Sequence, residues 1–223
     1  MVKLDIISDP ICPWCYIGKA NLDAAIAETG INPFETEWRI FQLNPDMPEG
    51  GMDRQEYLQA KFGGPDGAKQ VYDRVAEHAR GSGLDLDFNG IPRTPNTMDA
   101  HRLIRWARTN GTQDLLAQEL FELYFEQGAD IGDPDVLLNA AEKMGMEREI
   151  VAKLLEGDAD RETLADEDKN AREMGVTGVP CFIVDGKYVV QGAQPPEMWV
   201  KVIREIISAA QQENAGKGEG AVP

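Results

Sequence analysis

Two cysteines separated by Pro13 and Trp14 stand where an apolar run gives way to a helical pattern, and that junction restricts the fold more than any other stretch. Val2, Leu4, Ile6 and Ile7 form the apolar run, and Ser8-Asp9-Pro10 reads as a turn. After Cys15, Leu22, Ala25 and Ile26 fall on one helical face. Cys12 therefore lies at a helix start. Amides in a first helical turn are unpaired and carry positive partial charge, which favours a thiolate over a thiol. The two-residue spacing lets the second thiol attack a mixed disulfide formed at the first, which is the geometry of a reversible dithiol–disulfide couple.

The rest of the chain arranges itself around this couple. Residues 1–45 read as β-α-β: Gly30 follows the helix, and Phe34, Thr36, Trp38 and Ile40 alternate with Glu35, Glu37 and Arg39 at strand period. Two strands flanking a helix predict a right-handed parallel unit. From 46 to 165 helical periodicity dominates, with helices predicted near 53–62, 66–81, 96–109, 113–127, 134–144 and 147–156, then a longer one near 160–174. Cys181-Phe-Ile-Val184, the Asp185-Gly186 turn and Lys187-Tyr-Val-Val190 predict a hairpin, and Pro195 opens a last amphipathic helix. The pattern predicts an α/β chain: a discontinuous thioredoxin-fold domain from 1–45 and 166–210, an inserted all-α lobe from 46–165, and a disordered tail from 211–223.

Charge and cysteine usage narrow the function. The net charge of −17 comes from 39 acidic against 22 basic residues, spread without a basic stripe, so nucleic acid and anionic membrane surfaces are disfavoured as partners. Neither a signal-peptide pattern nor an apolar run of about 18 residues occurs, and the reading is cytoplasmic. In a reducing compartment, three cysteines do not read as a structural disulfide framework, and the Cys12–Cys15 couple reads as catalytic or redox-sensing. A zinc site would need two further ligands at suitable spacing; Cys181, His78 and His101 are unpaired in sequence, so no metal is expected.

The segments Ser8 to Lys19 (SDPICPWCYIGK), Asn96 to Leu103 (NTMDAHRL) and Gly175 to Val184 (GVTGVPCFIV) resemble the DsbA family of the thioredoxin superfamily. Within it the match is to the FrnE-like cytoplasmic branch, related to 2-hydroxychromene-2-carboxylate isomerases and kappa-class glutathione transferases. The resemblance implies a protein thiol–disulfide oxidoreductase or isomerase with Cys12 as nucleophile and Cys15 as resolving thiol. It also implies a cis Val179-Pro180 peptide facing the disulfide, with backbone groups at 179 open to an extended substrate. Pro13, Trp14 and Val179 are then the substrate-contacting positions. The isomerase and transferase relatives typically carry serine where Cys12 stands, and both cysteines here favour disulfide exchange. No bound cofactor is expected, and glutathione is a candidate co-substrate.

Two alternatives remain open at this stage: a glutathione-dependent small-molecule isomerase or transferase, and a redox-regulated chaperone-like binding module. The expected partners are disulfide-containing proteins or small thiols. With no cation between the cysteines, a couple of intermediate strength is expected. Cys181 departs from the family pattern and reads as a small buried hydrophobe, with a third redox thiol as the alternative. His101 reads as a packed helix residue and Asn96 as a helix cap, with a glutathione contact as the functional alternative for this region. For a buried carboxylate proton acceptor the sequence offers several candidates, Glu37 among them.

Overall fold

The computed structural model describes residues 1–218. Strand β1 (Val2–Ser8) runs into helix α1 (Pro13–Thr29), and β2 (Phe34–Ile40) returns alongside β1. The two strands are parallel, in register from Val2 opposite Phe34 to Ser8 opposite Ile40. Pro13 sits in the first turn of α1, where its missing N–H removes no helical bond. Gly30 ends the helix at φ 68°, a left-handed conformation open to glycine, and its N–H closes on the Ile26 carbonyl.

The inserted lobe contains β3 (Met52–Asp53), α2 (Arg54–Phe62), α3 (Pro65–Gly81), β4 (Arg93–Thr94), α4 (Met98–Ala107), a 3₁₀ turn over Arg108–Asn110, α5 (Gln113–Phe125), α6 (Pro134–Lys143), α7 (Arg148–Glu156) and α8 (Arg161–Glu173). The helices lie within two residues of their expected ends because the punctuation is physical. Asp53 accepts the Gln55 and Glu56 amides at the head of α2, and Asp133 accepts the Asp135 amide at the head of α6. Arg102 of α4, fully buried, ties the lobe together: its guanidinium donates to the carbonyls of Leu154, Leu155, Gly157 and Ala159 at the end of α7. A cation there completes carbonyls that the helix leaves unpaired.

Strands β5 (Cys181–Val184) and β6 (Tyr188–Gln191) complete a sheet of order β2-β1-β5-β6, with β5 antiparallel to both neighbours, and α9 (Pro196–Gly218) follows. The architecture is a thioredoxin fold with an inserted helical lobe. On one face α1, α5 and α9 bury Leu4, Ile6, Phe34, Trp38 and Phe182; Trp199 stands edge-on to Phe34 and Phe182. On the other face Ile7, Phe41, Ala171, Val176 and Cys181 form a smaller cluster under α8. The outer edge of β2 is closed by side chains: Gln113 pairs with both the N–H and the carbonyl of Trp38, while Asp168 and Arg172 take those of Gln42. Such side-chain cover prevents edge-to-edge pairing.

Two expectations are corrected: the lobe, expected to be all-α, also holds the antiparallel β3–β4 pair. The tail from 211 was expected to be disordered, yet α9 continues to Gly218. Ala209, Ala210, Gln211 and Gln212 are good helix formers extending an established helix, so propagation needs no new apolar contacts. The rest of that expected tail, 219–223, lies outside the described residues. No helix among the described residues is long and apolar enough to cross a membrane.

Candidate active site

Cys12 is the N-cap of α1, with extended backbone at φ −92° and ψ 111°, and its own N–H bonds back to the Asp9 carbonyl at 2.9 Å. The turn before it is held by Asp9, a fully buried carboxylate that the sequence shows only as a turn residue. Its Oδ1 accepts the Ile11 amide at 3.4 Å and its Oδ2 accepts the Leu43 amide, 34 residues away in sequence, at 2.7 Å. The end of β1 and the segment after β2 are thereby fixed to one another beneath the cysteines.

Cys12 and Cys15 are both free thiols, 3% and 2% exposed. The Cys12 thiol donates to the Val179 carbonyl at 3.6 Å, across the cis Val179–Pro180 peptide. Pro180 is buried against α1, where Gly18 permits the approach: a Cβ there would lie 3.0 Å from Pro180 Cγ. Burial, followed by the hydrogen bond to Cys12, pushes the Cys15 thiol well above the ordinary 9.0; the Ser8 hydroxyl and the Asp9 amide act in the opposite direction. The outer thiol thus faces a backbone acceptor at the substrate loop, and the inner thiol is held protonated at neutral pH.

The remaining positions divide clearly. Pro13 and Trp14 are half-buried beside Cys12, and Trp14 meets the exposed His78 of α3 edge-on at 5.1 Å. Cys181 is fully buried on the opposite face of the sheet, where Gln191 Nε2 donates to its sulfur at 3.3 Å; burial raises its pKa. The fold therefore does not bring Cys181 to the dithiol. Asn96 precedes the N-cap of α4: it accepts the Met98 amide at 2.9 Å and donates to the Met47 carbonyl at 2.7 Å.

Glu37 is buried, but Lys3, Arg39 and Arg108 surround its carboxylate. His101, 4% exposed, places Nε2 3.7 Å from Asp9 Oδ1. Asp9 is the residue of this site that the sequence missed. Its one available signal was its place in a turn directly before Cys12, which by itself marks only a loop. Among the described residues no cluster of three or more histidine, cysteine, aspartate or glutamate side chains is arranged to hold a metal ion.

The family model described as DSBA-like thioredoxin domain matches residues 3–204. A probable DsbA oxidoreductase from Streptomyces coelicolor is 28% identical, with a TM-score of 0.81 over 93% of this chain and 91% of that one. A 2-hydroxychromene-2-carboxylate isomerase shares the fold at 14% identity and a TM-score of 0.65, covering 99% of this chain and 100% of that one. The cytosolic disulfide reductase DsbM from Pseudomonas aeruginosa, in a structure with glutathione, shares it at 18% identity and a TM-score of 0.66, covering 92% and 99%.

Proposed function

The chain belongs to the DSBA-like thioredoxin domain family, and from that premise we propose that it is a thiol–disulfide oxidoreductase working through Cys12 and Cys15. The observation that carries this reading is the pair of free thiols at the head of α1, the outer one reaching the Val179 carbonyl and the inner one buried directly behind it. The Cys12 thiolate attacks one sulfur of a substrate disulfide; the Cys12–substrate bond forms as the substrate S–S bond breaks, and one substrate thiolate leaves. Cys15 then attacks the Cys12 sulfur, releasing the second substrate thiol and closing the Cys12–Cys15 disulfide. The substrate gains two electrons and the dithiol loses two; oxidation of a substrate dithiol is the same sequence reversed.

An extended substrate strand pairs with the backbone at 179, displacing the Cys12–Val179 contact, while Pro13 and Trp14 form the adjacent wall. Disulfide-bearing proteins and small thiols are the substrates. Glutathione serves as co-substrate in a cytoplasmic setting, a reading supported by the glutathione-bearing DsbM structure. Reduction of insulin disulfides tests the assignment. Wild type turns over, Cys12→Ser is inactive, and Cys15→Ser accumulates a mixed disulfide at Cys12; full activity in Cys12→Ser would overturn it.

A further inference from the structure

Resolution of the mixed disulfide requires Cys15 to lose its proton, yet the thiol is buried, and burial favours the protonated form. Behind it lie two buried polar atoms, the Ser8 hydroxyl beside Cys15 and His101 Nε2 beside Asp9, neither of which completes a well-formed hydrogen bond. Ser8 lies close enough to Cys15 to favour its thiolate. Ser8 and His101 both line a cavity with about 10 Å³ of room for the centre of a water molecule, between Pro10, Trp38, Ile104 and Phe121. That room suffices for one water, which needs two or more polar partners to be held.

His101 also lines a second, larger cleft. It has about 810 Å³ of the same space and runs between β2 and the lobe, past Trp106, Met146 and Asp160. Trp38, Arg39, His101 and Ile104 are common to both, so the imidazole stands in the wall between the cavity behind the dithiol and the cleft. We propose that His101, contributed by the inserted lobe, takes the Cys15 proton through Ser8 and one bridging water and passes it to the cleft on the far side.

The surrounding charges suit this role. From the turn after β1, Asp9 faces the imidazole at 3.7 Å and stabilises an imidazolium once formed. From β2 come Glu37 and Arg39; from α4 and its 3₁₀ turn, Arg105 and Arg108; from the segments before and within α8, Asp160 and Glu167. Arg105 pairs with Asp160 and Glu167, and Glu37 with Arg39 and Arg108, which leaves Asp9 as the charge aimed at His101. Glu147, ahead of α7, lines the cleft farther along. An imidazole is the ordinary side chain for moving a proton near neutral pH.

The step balances. Cys15–SH gives its proton to His101, and the thiolate attacks Cys12. The Cys12–substrate bond breaks, and the departing substrate thiolate is protonated by solvent as His101 releases its proton to the cleft. The oxidant is the substrate disulfide itself.

This inference rests on the oxidoreductase reading and deepens it. Reduced protein is mixed rapidly with excess oxidised glutathione, and the phase independent of glutathione concentration, which is attack by Cys15, is followed by acid quench and mass analysis between pH 6 and about 9. His101→Gln is expected to slow that phase at pH 7 by about 10²-fold, the lower range for a lost proton-transfer group. Its rate should rise toward wild type as pH increases. Ser8→Ala, which leaves the imidazole in place, should show the same pH-dependent loss in smaller degree. In His101→Gly, imidazole added to the buffer enters through the cleft and restores the rate. A His101→Gln rate within threefold of wild type overturns the proposal. So does a loss that is equal at every pH and unrelieved by imidazole, which marks a structural role. If wild type itself forms no Cys12–Cys15 disulfide, the oxidoreductase reading fails and the proposal falls with it; if wild type resolves and the variants keep pace, only His101 is misassigned.

Discussion

Asp9→Ala is the substitution that most directly probes how the fold holds the dithiol. The carboxylate is fully buried and takes two amides, one from the turn leading to Cys12 and one from the segment after β2. The Leu43 bond at 2.7 Å is short and charge-assisted, of a kind that contributes about 1.5–3 kcal/mol. The Ile11 bond at 3.4 Å is long, at the weak end near about 0.5 kcal/mol. Their joint loss predicts a destabilisation of about 2–4 kcal/mol, the lower end applying if water reaches the half-buried Leu43 amide. Asp9→Asn keeps one oxygen for Leu43 and should lose about half as much. Urea unfolding of the reduced proteins, with equal slopes required for the comparison, measures both. A loss under about 1 kcal/mol in Asp9→Ala, or an Asn variant as damaged as the Ala variant, would refute the reasoning.

Three other outcomes follow from the same geometry. Cys181, fully buried and raised by burial, should be alkylated slowly in native buffer and rapidly only after denaturation, and Cys181→Ala should keep most of the insulin-reducing activity; labelling as fast as Cys12 would contradict its place on the far face. Gly18→Ala gains about 1 kcal/mol of helix propensity but sets a Cβ 3.0 Å from Pro180 and 3.2 Å from Phe182; overpacking of about 1–3 kcal/mol predicts a net loss of stability, read by urea unfolding, together with lower activity. The folded protein holds the Cys15 proton above the ordinary thiol value of 9.0, whereas the unfolded chain releases it there. The associated stability is full below that pH and is lost as pH rises further. The oxidised protein has no such thiol, so the Cys15 contribution to reduced-minus-oxidised stability should fall above about pH 9.

How much was legible follows from which signals are local. The strand-to-helix junction at Cys12 was readable because Pro13 and the apolar spacing are sequence-local, and the helix ends because Asp53, Asp133, Gly30 and Gly111 act on their own turns. The pairing of β3 with β4 was not, since two-residue strands have no period to detect. Alternation set Glu37 with Glu35 and Arg39, opposite the apolar positions, and it was one of several candidate buried carboxylates; its three cations come from β1, β2 and the turn after α4, which only the folded chain assembles. Asp9 is tied to Leu43, and His101 shares a cavity with Ser8; neither relation leaves a mark in spacing. The near-complete burial of Cys12 also comes from tertiary cover, which a motif cannot report.

The central claim is that Cys12 and Cys15 form one reversible redox couple from which Cys181 is excluded. Equilibration across glutathione redox buffers, followed by acid trapping, alkylation and mass mapping of each cysteine, tests it directly. The account predicts a single two-electron transition in which Cys12 and Cys15 are protected together while Cys181 stays free throughout. Its midpoint should fall between about −270 and −120 mV, away from the strongly oxidising end. A protein that forms no Cys12–Cys15 disulfide anywhere in that range, or that pairs either thiol with Cys181, would contradict it.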